Sequence, residues 1–257
     1  QRLWYIRAKE VVLSTGSIER PIVFGNNDTP GVILSSGAKE YMKIYGVLVG
    51  KKPIIFTNND TAYETAIEFK KNGVNPIILD TRDEFNSEII EDAKKLNIEI
   101  KFNHAVIAAK GYKKVNSASI GKLSKDKKNI EFTENIECDC ICVSGFWTPS
   151  VHLTSQSGNK LKFNEELDAF VPNKSKQNEI NVGAANGEFK LQSTINSGFK
   201  AGEEISKKLF DKNQNIQIPN VNEKKYSKHD KFWCVPLPKN NKFKRFVDFQ
   251  NDVSVTD

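Results

Sequence analysis

Between Pro53 and Phe102, short apolar runs alternate with segments of helical periodicity, and this pattern constrains the fold more than any other feature of the chain. The apolar runs have the length of buried strands, whereas the segments between them repeat apolar residues every three or four positions. Strands that alternate with helices are typical of a parallel sheet, so we predict an α/β protein. The predicted strands are 53–57, 76–80 and 98–102, and the predicted helices are one that ends at Gly73 and one at 87–96.

Further elements are predicted on both sides of this region. A helix is expected at 35–46, capped by Ser35 or Ser36. Three alternating segments predict an antiparallel meander, and a loop is expected from 144 to 181. The meander segments are 105–109, 115–123 and 129–133, and the other predicted strands are 3–8, 10–14, 136–143 and 180–182, the last followed by a helix to about Phe210.

The composition indicates a globular chain that binds neither a membrane nor nucleic acid. Of 257 residues, 38% are hydrophobic and 27% are charged. The apolar runs are far shorter than the ~18 residues that cross a membrane. The net charge of +6 comes mostly from lysines spread along the chain, without the basic and aromatic cluster that marks a nucleic-acid surface.

The four cysteines suggest a reducing compartment, and we expect a cytoplasmic protein. Cys138, Cys140 and Cys142 alternate along one predicted strand, where neighbouring thiols would lie ~6.6 Å apart. That spacing is too wide for a disulfide or for one zinc ion. We therefore expect reduced core cysteines and no metal site.

Both ends of the sequence suggest a piece of a longer protein. The chain begins at Gln1, and its only methionine is Met42. It starts on strand-like sequence and stops shortly after an aromatic stretch. We therefore expect a fragment.

The strand–helix–strand unit at 53–80 has the layout of a dinucleotide-binding motif but lacks its glycines. Asn59 has a side chain where backbone would approach a pyrophosphate, and Asp60 adds a negative charge that would repel phosphate. Either residue could cap the following helix. Asp80 lies about twenty residues farther on, where an acid could hold a ribose hydroxyl. We favour a scaffold without a ligand over a nucleotide site.

A turn of small residues, 183–187, follows one predicted strand and precedes a predicted helix. Small residues let a ligand approach the backbone, and N–H groups at a helix N-terminus can bind phosphate. The same residues would suit a tight turn that binds nothing, and local sequence leaves both interpretations open.

Other candidate residues carry weaker signals. Trp147, Pro149 and His152 follow a predicted strand end, where α/β sheets place ligands, although a tryptophan more often packs. His104, His152 and His229 have no Ser, Cys or carboxylate pattern near them in sequence. We therefore predict no catalytic residue in this chain.

Seven motifs of unusual sequence are spread from end to end of the chain, at 2–21, 24–32, 56–63, 143–153, 155–158, 169–172 and 246–253. Together they resemble the α subunits of heterotetrameric sarcosine oxidases. The degenerate turn at 57–60 is the form that this family has.

This resemblance implies an architecture of two Rossmann-like domains of the FAD/NAD(P)-binding class, with one domain inserted into the other. The outer, NAD-binding domain would comprise 1–24 and 144–210 and would be incomplete. Residues 25–50 would form a connection, 51–142 the inserted domain, and 211–257 a linker toward a missing folate-binding region.

The same resemblance implies an activity and partners. The enzyme resembled converts sarcosine, oxygen and tetrahydrofolate to glycine, hydrogen peroxide and 5,10-methylenetetrahydrofolate. FAD and a covalent FMN would belong to the partner β subunit or its interface, and γ and δ subunits would complete the complex. The region seen here would bind NAD and act as a scaffold, and it would be inactive alone. Two alternatives are the α subunit of a related amine or opine dehydrogenase and a non-catalytic α/β assembly module.

Residues at the NAD site follow from the resemblance. Carried over by position, Ala184, Phe189 and Leu191 would line the nucleotide, with Gly183 and Asn186 in the same turn. The end of a predicted sheet strand adds Thr15 and Gly16. FAD-binding relatives commonly carry an aspartate at the position of Ala184, which bonds the ribityl chain, so NAD is expected rather than FAD.

Overall fold

The computed structural model describes residues 2–211, 217–238 and 241–257. The chain forms two compact units, each made of two segments. The first unit is Gln1–Ile18 with Trp147–Glu223, and the second is Glu19–Phe146 with Lys224–Asp257.

Strands and helices alternate along much of the chain. The strands are β1 (Val11–Leu13), β2 (Ser17–Glu19), β3 (Val32–Leu34), β4 (Pro53–Thr57), β5 (Ile77–Asp80), β6 (Glu99–Phe102), β7 (His104–Lys110), β8 (Ser117–Leu123), β9 (Ile130–Glu137), β10 (Cys140–Ser144), β11 (Trp147–Pro149), β12 (Leu161–Asn164), β13 (Ala169–Pro172), β14 (Glu179–Asn181), β15 (Phe246–Asp248) and β16 (Val253–Ser254). The helices are α1 (Ser35–Tyr45), α2 (Tyr63–Lys71), α3 (Glu88–Lys95), α4 (His152–Gln156) and α5 (Leu191–Phe210), with a 3-10 turn at Gly183–Asn186.

The second unit is built on a five-stranded parallel sheet of order β3–β10–β4–β5–β6, which confirms the predicted parallel sheet. Phe56 pairs with Val143 of β10 and with Leu79 of β5, so these strands end at one edge. Every residue of β4 and β10 is buried, as expected for parallel strands covered on both faces.

The two faces of this sheet are covered by different layers. Helices α1, α2 and α3 pack on one face, where Ile55 and Ile78 contact Ala66 and Phe69 among others. The predicted meander, β7–β8–β9, is confirmed as an antiparallel sheet, and its apolar residues join the core on the opposite face. The second unit is therefore a three-layer structure with helices on one side only.

The first unit is smaller and less buried. Its β1 and β14 form a parallel pair, with Leu13 opposite Asn181, and β12 and β13 form an antiparallel hairpin. The 3-10 turn and α5 follow directly after β14. No helix in the described ranges is long and apolar enough to cross a membrane.

Residues 3–8 were expected to form a strand, and this prediction was wrong. The segment is irregular, and Trp4 and Tyr5 are 75% and 93% exposed. Aromatic and β-branched residues favour strands only where they can pack on a neighbouring strand. Among the described residues, none pairs with this segment in a sheet.

Two other segments differ from their prediction. The expected loop at 144–181 contains β11, α4 and the β12–β13 hairpin, whose strands of four residues are too short to give a clear periodic signal. The single strand expected at 136–143 is divided, because Glu137 ends β9 and Cys140 begins β10. Between them the Asp139 carboxylate accepts the backbone N–H groups of Lys51 and Lys52.

The predicted helix caps were also wrong. Ser35 lies inside α1, and its hydroxyl bonds to Thr65 Oγ1 at 2.8 Å. The N–H of Ser36 is instead accepted by the buried carboxylate of Glu19 at 2.8 Å. Helix α2 has no side-chain cap, and its N-cap position is Ala62.

Candidate functional site

The carboxyl ends of β1 and β14 bring the predicted binding residues of the first unit to one sheet edge. The two strands are parallel neighbours, and Val182 N–H donates to Leu13 O at 3.0 Å. Thr15 and Gly16 follow β1, and Gly183 follows β14. Ligands of α/β proteins bind at such an edge, outside the carboxyl ends of parallel strands.

Two glycines shape this edge. Gly16 and Gly183 have φ values of +74° and +62°, in the left-handed region that favours glycine. A Cβ on Gly16 would meet no heavy atom within 4 Å, so the backbone there borders open space. A Cβ on Gly183 would lie 2.8 Å from Thr194 Cγ2 of α5, so this turn is also tightly packed.

Hydrogen bonds fix the turns. The hydroxyl of Thr15 donates to Ser150 O at 2.7 Å, and Ser150 N–H donates to Gly16 O at 2.9 Å. Gly183 N–H donates to Ser197 Oγ at 2.9 Å. Both turns are therefore held by other residues of the first unit, with the oxygen of Thr15 still able to accept a bond.

The 3-10 turn offers backbone donors rather than side chains. Gly183 and Ala185 are buried, Ala184 is half-buried, and Asn186 is exposed. The first N–H groups of a helical turn have no partner within the turn, and that of the half-buried Ala184 suits an anionic ligand. Gly187 closes the turn with φ +83°.

The beginning of α5 differs from the sequence expectation. The sequence predicts that N–H groups at the start of this helix can bind phosphate, but α5 begins at Leu191, whose N–H donates to the Glu223 carboxylate at 2.6 Å. Gln192 joins the same segment through Pro219 O and Val221 N–H. A carboxylate of the chain itself therefore occupies the helix N-terminus, and Leu191 is 52% exposed.

The corresponding edge of the second unit is filled by buried polar side chains. Arg82 Nη2 donates to Asp80 Oδ2 at 2.7 Å, and Arg82 also forms an ion pair with Asp60, whose Oδ1 lies 2.8 Å from Nη1. The hydroxyl of Tyr63 donates to Asp80 Oδ2 at 2.7 Å. The Asn59 amide donates to Ser144 Oγ at 3.0 Å. These residues are less than 8% exposed, so the network is an internal part of the fold.

This environment keeps Arg82 charged and Tyr63 neutral. Burial works to lower the pKa of Arg82, but its hydrogen bonds to Asp80 and the nearby charge of Asp60 raise it overall. Burial, with the adjacent Asp80 carboxylate, raises the pKa of Tyr63 far above its ordinary value. Neither group can exchange a proton near neutral pH, so the network has a structural character.

The cysteines depart from the predicted spacing. The Sγ atoms of Cys140 and Cys142 lie 3.4 Å apart, and both side chains belong to the core on the helical face of the sheet. Cys138 precedes β10 and packs in the opposite core. Burial raises the pKa of Cys138 to about 12, and the contact with Cys140 raises that of Cys142. All are free thiols, and Cys234 is exposed.

The remaining candidates are scattered. Trp147 and Pro149 lie on β11, and His152 begins α4. The Nδ1 of His104 bonds Phe102 O at 2.6 Å, and the His229 ring stacks on Phe146 at 4.0 Å. Among the residues that the structure describes, no three His, Cys, Asp or Glu side chains converge on a metal position.

An open groove of about 470 Å³ lies beside β6 in the second unit. Its lining combines apolar side chains with polar side chains and charges of both signs. None of the residues predicted to bind NAD lines it: the lining residues are Glu84, Lys94, Ile98, Ile100, Phe102, Asn103, His104 and Lys122.

Sequence reasoning missed Glu223, Glu19 and the pairing of Arg82 with two carboxylates. Each of these contacts joins residues that are distant in sequence or unremarkable in type. Only the arrangement of Asp80 and Arg82 two residues apart on a strand end offered a local signal, because such a pair can share one hydrogen-bonded network.

Solved structures with a similar fold are oxidoreductases. The L-proline dehydrogenase of P. horikoshii has a TM-score of 0.55 at 21% identity, over 80% of this chain and 36% of that one. The thioredoxin reductase of T. acidophilum has a TM-score of 0.60 at 19% identity, over 76% of this chain and 64% of that one. The chain therefore has the predicted α/β fold, and it shares this fold with a proline dehydrogenase and with thioredoxin reductases.

No profile of a known protein family matches the chain. Curated relatives do match it, and all three are named sarcosine oxidase subunit alpha. Those of Corynebacterium sp. strain P-1 and strain U-96 are each 30% identical, and that of Rhizobium meliloti strain 1021 is 32% identical. Each match covers 100% of this chain and 25–27% of the relative, so the chain spans about a quarter of their length. From end to end, therefore, the chain is similar to a part of these sarcosine oxidase alpha subunits, as its motifs predicted.

Proposed function

We propose that this chain is the dinucleotide-binding region of a sarcosine oxidase alpha subunit and that its first unit binds NAD. The juxtaposition of two turns carries the proposal, because parallel β1 and β14 deliver Thr15–Gly16 and Gly183–Asn186 to one edge. That edge is where an α/β fold binds a nucleotide.

The residues at this edge fit a dinucleotide. The open space beside Gly16 admits a ligand close to the backbone, and the amide of Ala184 suits a phosphate. Phe189 and Leu191 would contribute apolar or backbone contacts. Glu223 at the start of α5 disfavours a phosphate there, which confines the anion to the 3-10 turn.

NAD fits the turn better than FAD. Ala184 follows Gly183 and has no side-chain acceptor, so this position cannot bond the ribityl chain of a flavin. The dinucleotide would have a structural role. The residues of this chain would hold and orient it and would transfer no proton.

The wider assignment follows the relatives. We propose that the complete protein acts with β, γ and δ subunits in the cytoplasm, where it oxidises sarcosine with oxygen and passes the one-carbon unit to tetrahydrofolate. FAD and covalent FMN would lie in the β subunit or at its interface. In domain terms, we propose that 1–24 and 144–210 form the outer domain and 51–142 the inserted one.

An activity assay tests this assignment. The chain alone, given sarcosine, should yield peroxide only at background, because it offers no acid–base pair at the proposed edge. The complete protein that contains it, purified with its partner subunits, should yield peroxide and glycine in equal amounts. Peroxide from the chain alone, or none from the assembled complex, would contradict the assignment.

A further inference from the structure

Residues 226–232, here called the strap, cross the edge of the second unit's sheet where the carboxyl ends of its parallel strands meet. In a parallel sheet this edge holds the ligand. It is formed by the residues that follow β4, β5 and β10, namely Asn58, Thr81 and Gly145. The strap and the residue that follows it contact all three.

We propose that the strap is an internal ligand that occupies the dinucleotide position of the second unit, so that this unit binds no nucleotide. The proposal concerns a different sheet edge from the NAD site of the first unit and stands whether or not that site binds NAD. Three positions that a nucleotide would need are each taken by atoms of the chain.

The first position is that of the phosphate, at the start of α2. The Asp60 carboxylate is 1% exposed there and accepts Ser227 N–H of the strap at 2.7 Å. Its other oxygen lies 2.8 Å from Arg82 Nη1. A buried carboxylate thus holds the place of the anion, and a phosphate would bring a second negative charge against it.

The second position is that of the ribose. Asp80 Oδ1 accepts the backbone N–H and the Nε of Arg82, both at 3.0 Å. Asp80 Oδ2 accepts Tyr63 Oη and Arg82 Nη2, both at 2.7 Å. A carboxylate has about four acceptor sites, and all four are used, so none remains for a ribose hydroxyl.

The third position is that of the rest of the nucleotide, along the ends of β4 and β5. Asp230 N–H donates to Asn58 O at 2.9 Å, and Asn58 Nδ2 donates to Asp230 O at 2.8 Å and to Phe232 O at 3.1 Å. Thr81 Oγ1 donates to Asp230 Oδ2 at 3.3 Å, and Lys127 pairs with the same carboxylate.

The C-terminal end of the strap is packed into the hydrophobic core. Phe232 is 6% exposed within the apolar cluster of the meander face. Trp233 Nε1 donates to Gly145 O at 2.8 Å, and Trp233 O accepts Val23 N–H at 2.7 Å. Opening the strap would expose this apolar side chain and leave buried polar groups without partners, so the closed state is strongly favoured.

Hydrogen exchange on the full chain tests the proposal. The amides of Ser227 and Asp230 should exchange at least about 100-fold more slowly than in an unstructured peptide. Millimolar NAD⁺, NADP⁺ or ADP should leave exchange at 57–61, 80–82 and 226–232 unchanged. Nucleotide-dependent protection of these segments, or strap amides that exchange at peptide rates, would overturn the proposal.

Two variants at position 227 test the hydrogen bond between the strap and Asp60. Ser227→Pro deletes the N–H that bonds Asp60, whereas Ser227→Ala retains it. Exchange at 57–61 should rise at least about tenfold in the proline variant and stay unchanged in the alanine variant. If Ser227→Pro does not fold, Asp230→Asn, which weakens the pair with Lys127, should raise exchange at 226–232. Equal exchange in the variants that fold and the parent would overturn the proposal.

Discussion

Gly183 is the single residue on which the geometry of the first unit depends most. It combines a left-handed φ of +62° with a contact to α5 that leaves no room for a Cβ. The sequence predicted a small-residue turn here, because a glycine after a strand and before a helix has few other uses. It could not predict the partner Thr194, which is brought close only when α5 folds back.

The variant Gly183→Ala should lower stability by about 1–2 kcal/mol from the backbone conformation alone. The new Cβ would also lie 2.8 Å from Thr194 Cγ2. Thr194→Ser removes that methyl group and keeps the hydroxyl that donates to Glu188 O at 2.8 Å. The double variant should therefore recover part of the loss, measured by chemical denaturation. Full additivity of the two changes would contradict the close contact.

Glu19 shows how an element can depend on a residue outside it. Helix α1 lacks a side-chain cap of its own, and the Glu19 carboxylate accepts the N–H of Ser36 at its first turn. An acidic group at a helix N-terminus is favoured by the helix dipole. The bounds of α1 and α3 follow from local periodicity and were predicted to within one residue. This cap instead joins residues seventeen positions apart and left no local signal.

Glu19 also makes stability depend on pH. Burial raises its pKa above the ordinary value of 4.5, although hydrogen bonds to Ser144 and Ser36 oppose the shift. Folding therefore favours the protonated acid, and that stability is present below about pH 4.5 and lost as pH rises through the folded pKa. Glu19→Gln should remove this loss, because the amide stays neutral and still accepts from Ser36.

Thermal unfolding at pH 5 and pH 8 measures the effect. The Tm of Glu19→Gln relative to the parent should rise between these pH values by about 2–4 °C, which corresponds to about 1 kcal/mol. Glu40→Gln, an exposed position on the same helix, should show no such change. A pH-independent difference for Glu19→Gln would show that its charge is not penalised by burial.

At the scale of the whole molecule, the two units share a sheet-edge geometry and use it differently. In the first unit, the backbone at Gly16 borders open space, and Gly183 forms a tightly packed turn. In the second unit, the carboxylates of Asp60 and Asp80 form ion pairs with Arg82 and accept hydrogen bonds from other groups of the chain. The sequence lacks the glycines of a dinucleotide-binding turn at the second edge, and it therefore favoured a scaffold without a ligand. It could not predict the strap, because the contacts of 226–232 join segments more than a hundred residues apart.

The central claim, that the first unit holds NAD, is tested most directly by the nucleotide that the protein carries. The complete protein is purified, denatured and its released nucleotide identified and counted. The parent and a remote surface variant, Lys125→Ala, should each release NAD, about one per chain. Ala184→Leu should release little or none, because the larger side chain would fill the 3-10 turn beside the phosphate. Equal NAD in Ala184→Leu and the parent would contradict the claim.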